Sequence, residues 1–423
     1  MTTPVTHPAV QARVSKWLGV LPHDWSGARL CQVAEAWTSN VDKHTVEGQP
    51  AVRLCNYTDV YKNSSITSNL DFMKATATAE QIVRFRIRRG DTIITKDSET
   101  ADDIGIPAYV EYEADDLICG YHLAIVRPDP RAVAPRFLYW VMVSSAVQSQ
   151  WRVLASGVTR VGLRSTDLTK ATIPLPPAAD QLAIADILDR ETAQIDALIS
   201  KQHGLIKVLR ERRSALLDQH FQSSEGKRSA SIRQTLMKLT RPAPSGLGVV
   251  TAYRDGVVTL RSNRREDGYT FSETEAGYQE VLPGDIVFHA LDGFAGAVGV
   301  SDSHGVCTPV YHVCRPRGDD DPEYLALLLR YLGTSGFLAV QAPNVRQRSV
   351  DFRNWSTFAR VPLMLPSPDE QRAFMADYRA RKASVDALIA KTQQHIAFAK
   401  ERRAALISAA VTGQIDVAGR SAA

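Results

Sequence analysis

The chain has 423 residues, with 50 Lys and Arg against 46 Asp and Glu for a formal charge of +4, and is 44% apolar and 23% charged. At about 150 residues per domain this length predicts two or three domains, and the composition excludes disordered, collagen-like and disulfide-scaffold chains. No apolar run reaches the roughly 18 residues of a membrane span, and Met1-Thr-Thr-Pro-Val-Thr-His7 lacks a leader's basic start and apolar core. The sequence therefore predicts a cytoplasmic protein with no membrane partner. So small a positive surplus means that any nucleic-acid surface must arise from local clustering.

In chain order, residues 21–175 alternate strand-like runs with turn residues, as in Ala51-Val-Arg-Leu-Cys55, Gly90-Asp91-Thr-Ile-Ile-Thr95 and Tyr121-His-Leu-Ala-Ile-Val126. Arg84, Arg86 and Arg88 alternate with Val83, Phe85 and Ile87, so a strand here would carry three guanidiniums on one face. Arg160 and Arg164 lie in a Gly-rich loop ahead of Thr172-Ile-Pro-Leu-Pro176. A long helix is then predicted from Pro177, with Asp180 in its first turn and Ile184, Leu188, Ile195, Leu198, Leu205, Leu209 and Leu216 in alternating four- and three-residue steps. Residues 221–245 are rich in Ser, Gly, Lys and Arg and read as a link.

The second globule has the same texture. It offers Val257-Val-Thr-Leu260, the polar cluster Arg261, Asn263, Arg264, then Gly284-Asp285-Ile-Val-Phe288 and Ala297-Val-Gly-Val300. Asn344, Arg346, Gln347 and Arg348 stand where Arg160 and Arg164 stand in the first half, ahead of Val361-Pro-Leu-Met-Leu-Pro366. Ser367-Pro368-Asp-Glu370 is a capping-box start to a second long helix, uninterrupted by Gly or Pro until Gly413.

The two helices are copies. Displaced by 190 positions without a gap, Pro176 meets Pro366, Gln181 meets Gln371, Asp196-Ala-Leu-Ile meets Asp386-Ala-Leu-Ile, and Glu211-Arg-Arg meets Glu401-Arg-Arg. Such self-similarity marks a duplication. The order is globule, long helix, globule, long helix, with boundaries expected at 1–175, 176–221, 222–365, 366–412 and a tail at 413–423. At 1.5 Å per residue each helix spans about 55–60 Å. Ile187, Ile199, Ile206, Ile389 and Ile396 lie off the heptad seam and offer a second apolar face.

Catalytic chemistry is not legible. There is no phosphate-binding loop, no zinc spacing among the five cysteines, and no calcium-loop pattern in Asp319-Asp320-Asp321, which reads as a surface turn. The cysteines read as buried apolar thiols. Glu225-Gly226-Lys227 reads as solvated linker. Binding is better supported: arginine suits guanine edges and phosphates, and Asn or Gln suits adenine. The candidate DNA-binding residues are Arg84, Arg86, Arg88, Arg160, Arg164, Arg261, Asn263, Arg264, Asn344, Arg346, Gln347 and Arg348.

The proline-flanked helix entries, the Asp-Ala-Leu-Ile and Glu-Arg-Arg phrases, the closing Ala410-Val-Thr-Gly413-Gln-Ile-Asp416-Val and the opening Leu21-Pro22-His-Asp-Trp25 together resemble the specificity subunit of type I restriction-modification systems. The resemblance implies an α+β chain in which two mixed α/β target recognition domains are separated by two antiparallel coiled-coil helices about a pseudo-two-fold axis. It implies a non-catalytic subunit that binds double-stranded DNA, each domain reading one half of a split site and the helices setting the spacer. It also implies two methyltransferase subunits and restriction/motor subunits as partners. No cofactor is expected in this chain; S-adenosylmethionine, ATP and Mg are expected in those partners. A DNA-independent scaffold with a dimerising rod is the alternative reading.

Overall fold

The computed structural model describes residues 8–264, 277–341, 345–346 and 349–415. The chain divides into two compact units, one formed by residues 1–202 with 393–423 and the other by residues 203–392.

In the first unit a five-stranded sheet runs in the order Ala34–Thr38, Leu123–Pro128, Thr92–Thr95, Pro107–Val110, Ser65–Ile66. The first four strands are mutually antiparallel and the last pairs in parallel. Ile94, Ala124 and Val126 point into a core completed by helices Pro135–Val143 and Ser145–Leu154. Ile93, Leu123 and Ile125 point the opposite way, into a core shared with a second sheet of Met73–Thr76, Ala51–Cys55 and Leu117–Cys119. Burial on both faces explains why these strands read as continuous apolar runs. An antiparallel pair of Ser26–Arg29 with Thr172–Leu175 then leads into the long helix Ala178–Gln222.

The second unit repeats this plan. Its four-stranded antiparallel sheet runs Leu236–Leu239, Tyr311–Pro316, Ile286–His289, Val298–Val300, the order of the first four strands in the other unit. Ile286, Phe288 and Val298 pack on the helix Pro322–Thr334, while Val287 and Val313 face Val250, Val258 and Val281. The pair Arg228–Ser231 with Pro362–Leu365 leads into the long helix Pro368–Val411. Duplication therefore extends from the helices into the globules.

The repeated residues make repeated contacts. Gln181 is buried and accepts from Ala134 N at 2.7 Å while donating to Pro176 O at 2.9 Å; Gln371 accepts from Asp321 N at 2.9 Å and donates to Pro366 O at 3.0 Å. Each glutamine thus ties a long helix to the start of its globule's packing helix. Asp196 pairs with Arg403 at 3.0 Å in the first unit, and Asp386 pairs with Arg213 at 2.7 Å in the second, so within each unit the two helix segments run antiparallel. The capping box at Ser367 and Glu370 is formed, with Ser367 N to Glu370 Oε2 at 2.9 Å. At the other end Gly413, at φ +71, terminates the helix with Gln414 N bonded to Ala409 O, and a Cβ there would stand 2.5 Å from Pro22.

One repeated ion pair has its signs exchanged. Arg136, second residue of its helix, pairs with Asp189 at 2.9 Å; Glu323, second residue of the equivalent helix, pairs with Arg379 at 2.6 Å, and residues 189 and 379 are repeat counterparts. Docking either globule on the other's helix would bring like charges together, so the pair selects the correct match. Arg136 also lies over the rings of Tyr109 and Tyr139 at 4.6 and 4.9 Å. We predict that Arg136→Glu costs about 1–2 kcal/mol and that adding Asp189→Arg restores part of the loss. Urea denaturation of the four members of this cycle decides it; additive losses would exclude the pairing.

Four expectations are corrected. The helix seam follows an eleven-residue step, with Ile184, Ile195 and Ile206 all at most 9% exposed and Ile396 and Ile407 likewise buried; Leu198, Leu205 and Leu388 are instead exposed, because a helix that keeps near 3.67 residues per turn drifts off a heptad stripe. Ile187, Ile206 and Ile396 belong to the buried side. Residues 221–245 are no link: Ser231 and Gln234 cap a short helix, and Ala230, Ile232 and Leu236 enter the second core. Asp320 is buried by Arg228 at 2.6 Å and Gln371 at 2.7 Å, while Asp321 caps Pro322–Thr334. Four cysteines are buried as expected, but Cys31 is exposed.

Candidate nucleic-acid interface

The predicted arginine row at 84–88 is absent. Thr78 and Gln81 form a reciprocal capping box that nucleates the helix Ala79–Phe85, so a period-two face never forms. Arg84 is exposed at the helix end, its carbonyl accepting from Trp37 Nε1 at 3.2 Å. Arg86 pairs with Asp115 at 2.8 Å, and Arg88 is exposed beside the turn that binds Asp91.

That Asp91, and Asp285 in the repeat, explain the Gly-Asp phrases. Asp91 receives Arg127 Nε at 2.8 Å and Nη2 at 2.6 Å. Asp285 receives both Arg241 and Arg315, at 2.5 and 2.6 Å, with Leu282 N at 2.8 Å. Burial pushes the Asp91 carboxyl up, more than its arginine lowers it. Burial acts the same way on Asp285, but two arginines and a backbone amide hold it below the usual carboxylate range. These are structural groups beneath the surface loops.

Arg160 is exposed at a tight turn closed by Ser156 N to Gly162 O at 3.2 Å and Gly162 N to Ser156 O at 2.9 Å. Gly157 has φ +147, and a Cβ on it would fall 1.8 Å from Arg160 O, so only glycine allows this turn. It presents Val158, Thr159 and Arg160 to solvent, Val158 wholly exposed. Arg164 instead joins Asp167 at 2.7 Å, with Lys170 on the other oxygen at 3.0 Å; Arg164 chiefly, with help from Lys170 and against burial, lowers the Asp167 pKa. Arg164 thereby secures the short helix Ser165–Leu168.

In the second unit, Arg261 Nε donates to Thr251 Oγ1 at 3.0 Å, Asn263 Nδ2 donates to Thr259 Oγ1 at 2.9 Å, and Arg264 pairs with Asp255. All three brace the pair Val250–Ala252 and Val258–Leu260. The backbone of Arg346 lies in the pair Val345–Arg346 with Ser349–Val350, which precedes the short helix Trp355–Phe358 as the Arg160 turn precedes Ser165–Leu168. Asn344, Gln347 and Arg348 lie outside the described residues.

Sequence reasoning missed the surroundings of the Arg160 turn. The strand pair Asp97–Ser98 with Val161–Gly162 carries it beside a cavity of about 490 Å³ into which His122 and Tyr57 also face. No grouping of His, Cys, Asp and Glu able to hold a metal occurs among the described residues, and no described helix is long and apolar enough to cross a membrane.

Comparison with known proteins gives these surfaces a context. Residues 23–207 match the family model described as the type I restriction modification DNA specificity domain. Over 209 residues the chain is 24% identical to the putative type I restriction enzyme MjaX specificity subunit of Methanocaldococcus jannaschii, covering 48% of this chain and 47% of that protein; the match spans about half the length of that curated relative. A solved structure concerning complex assembly and conformational transition of the type I R-M system superposes with a TM-score of 0.71 at 17% identity, covering 94% of this chain and 100% of that one. The HsdS subunit from Thermoanaerobacter tengcongensis superposes at 0.53 with 18% identity, covering 93% and 98%. Residues 23–207 thus carry the type I restriction modification DNA specificity domain, and over nearly its whole length the chain has the fold of these two solved structures.

Proposed function

We propose that each globule reads one half of a split, asymmetric DNA target and that the long helices set the unread spacer. The observation that carries this reading is the repetition of one scaffold. The same sheet order and the same Gly-Asp anchor occur in both units, and each has a local antiparallel turn ahead of its long-helix entry, Ser156 with Gly162 in one and Val345–Arg346 with Ser349–Val350 in the other. Two equivalent reading modules on one chain suit two half-sites. Arg160 and Arg346 are the proposed base-reading arginines, one on each turn, while exposed Arg84 and Arg88 supply phosphate contacts.

The chain itself performs no chemistry in this reading. Two methyltransferase subunits carry S-adenosylmethionine and present the flipped adenine, and restriction/motor subunits use ATP and Mg, all in the cytoplasm. Leu198 and its counterpart Leu388, with Val208 and its counterpart Phe398, are exposed on the long helices and are the proposed docking positions for the methyltransferases. The test is methylated-base sequencing of DNA from a methylation-free host expressing this chain with a cognate methyltransferase. One split motif with methylated adenine in both halves is expected. An assembled complex that methylates no defined motif would leave a scaffold instead.

A further inference from the structure

The scaffold repeats, so the sequence information that distinguishes the two half-sites must lie where the units differ. The sharpest difference among the described residues is the cavity beside the Arg160 turn. The strand Asp97–Ser98 that builds it has no counterpart in the second unit, where the equivalent strand ends at His289 and the next amides, Leu291 N and Asp292 N, fold back onto His289 Nδ1 at 3.2 and 3.0 Å.

His122 stands in this cavity at φ +71, the one non-glycine residue with a left-handed backbone among the described residues. Such a conformation is disfavoured for a residue with a Cβ and persists where the surroundings impose it. Here Lys96 N bonds to His122 O at 3.0 Å, the ring nitrogen Nδ1 meets Asp97 Oδ2 at 2.6 Å, and the Tyr121 ring lies 4.1 Å away. Lys96 Nζ reaches the same carboxylate oxygen at 2.5 Å. The pair is fixed yet reachable, His122 being 30% and Asp97 22% exposed.

Asp97, Glu99 and Asp103 line the cavity together with Lys43 and Arg160, Asp97 being paired with Lys96. Carboxylate oxygens accept from an exocyclic amine, the group by which adenine and cytosine differ from thymine and guanine in the major groove. Resting on the DNA reading above, we infer that this cavity is the base-reading site of the first unit. It takes an amine-bearing base edge against the His122–Asp97 pair, with Arg160 on the neighbouring guanine or phosphate.

The decisive variant is His122→Gly in the assembled methyltransferase complex. Glycine removes the backbone cost, so a residue kept only to make the turn would be replaced without consequence. We expect thermal stability close to the parent and a motif relaxed by about tenfold or more at one base of one half-site, the other half unchanged. Asp97→Asn is expected to relax the same base, and His122→Asn, which also tolerates the left-handed backbone, guards against a folding defect in the glycine variant. A parent complex with a split motif that both His122→Gly and Asp97→Asn leave intact overturns this site alone. A parent complex with no motif overturns the DNA reading itself.

Discussion

Asp285→Ala is expected to cost the second unit about 3 kcal/mol. The carboxylate is wholly buried and is the shared acceptor for Arg241, Arg315 and the Leu282 amide. Deleting it leaves two cations and a donor without their partner, and breaking a buried pair costs far more than the pair's net contribution. The arginines are 20% and 44% exposed, which keeps the loss at the lower end of the range for buried pairs. Urea denaturation followed by hydrogen exchange in residues 236–316 measures it; a loss under about 1 kcal/mol would show that the anchor is dispensable.

The same site sets a pH dependence. Because the folded Asp285 pKa lies below its ordinary 3.8, its stabilisation is fully present above that value and is lost as pH falls through the lower folded one. Asp91 has the opposite sign: its raised pKa makes its contribution greatest below 3.8 and smaller as pH rises through the folded value. Asp285→Asn should therefore flatten the acid limb of the second unit's stability curve, and Asp91→Asn should not.

Much of this architecture is legible in the sequence because the duplication falls on residues that touch one another. Asp196 and Asp386, Arg213 and Arg403, and Gln181 and Gln371 are identical between copies since each pair performs one job twice. What misleads is local pattern competing with a stronger local signal. Arg84, Arg86 and Arg88 alternate as a strand would, yet Thr78 and Gln81 cap a helix that takes in Arg84 and ends at Phe85, leaving Arg86 and Arg88 beyond it. Residues 221–245 have linker composition, but alternate members carry the apolar side chains the core needs. The seam departs from the heptad only late, because heptad and eleven-residue stripes coincide from Ile184 to Ile195 and part at Leu198. The His122 cavity could not be read at all. It gathers residues 57, 97, 122 and 160 from a helix, a strand and two loops, and no spacing announces a left-handed histidine.

Removing eleven residues from each long helix, between Asp196 and Arg213 in the first and between Asp386 and Arg403 in the second, is expected to abolish methylation at the parent motif. Eleven residues complete almost exactly three helical turns, so the buried stripe and both Asp–Arg pairs keep their register. Each helix nevertheless shortens by about 16 Å at 1.5 Å per residue. On duplex DNA that is about five base pairs, or half of the roughly 10.5 of one turn, so the parent half-sites would present the wrong distance and the wrong face together. Any motif that replaces the parent one must have a shorter spacer, with both half-site sequences unchanged because neither globule is touched. Methylated-base sequencing reads both quantities at once. A folded, assembled complex that still methylates the parent motif at its original spacing would mean that the helices do not measure the DNA, and that the distance between half-sites is fixed by the partner subunits instead.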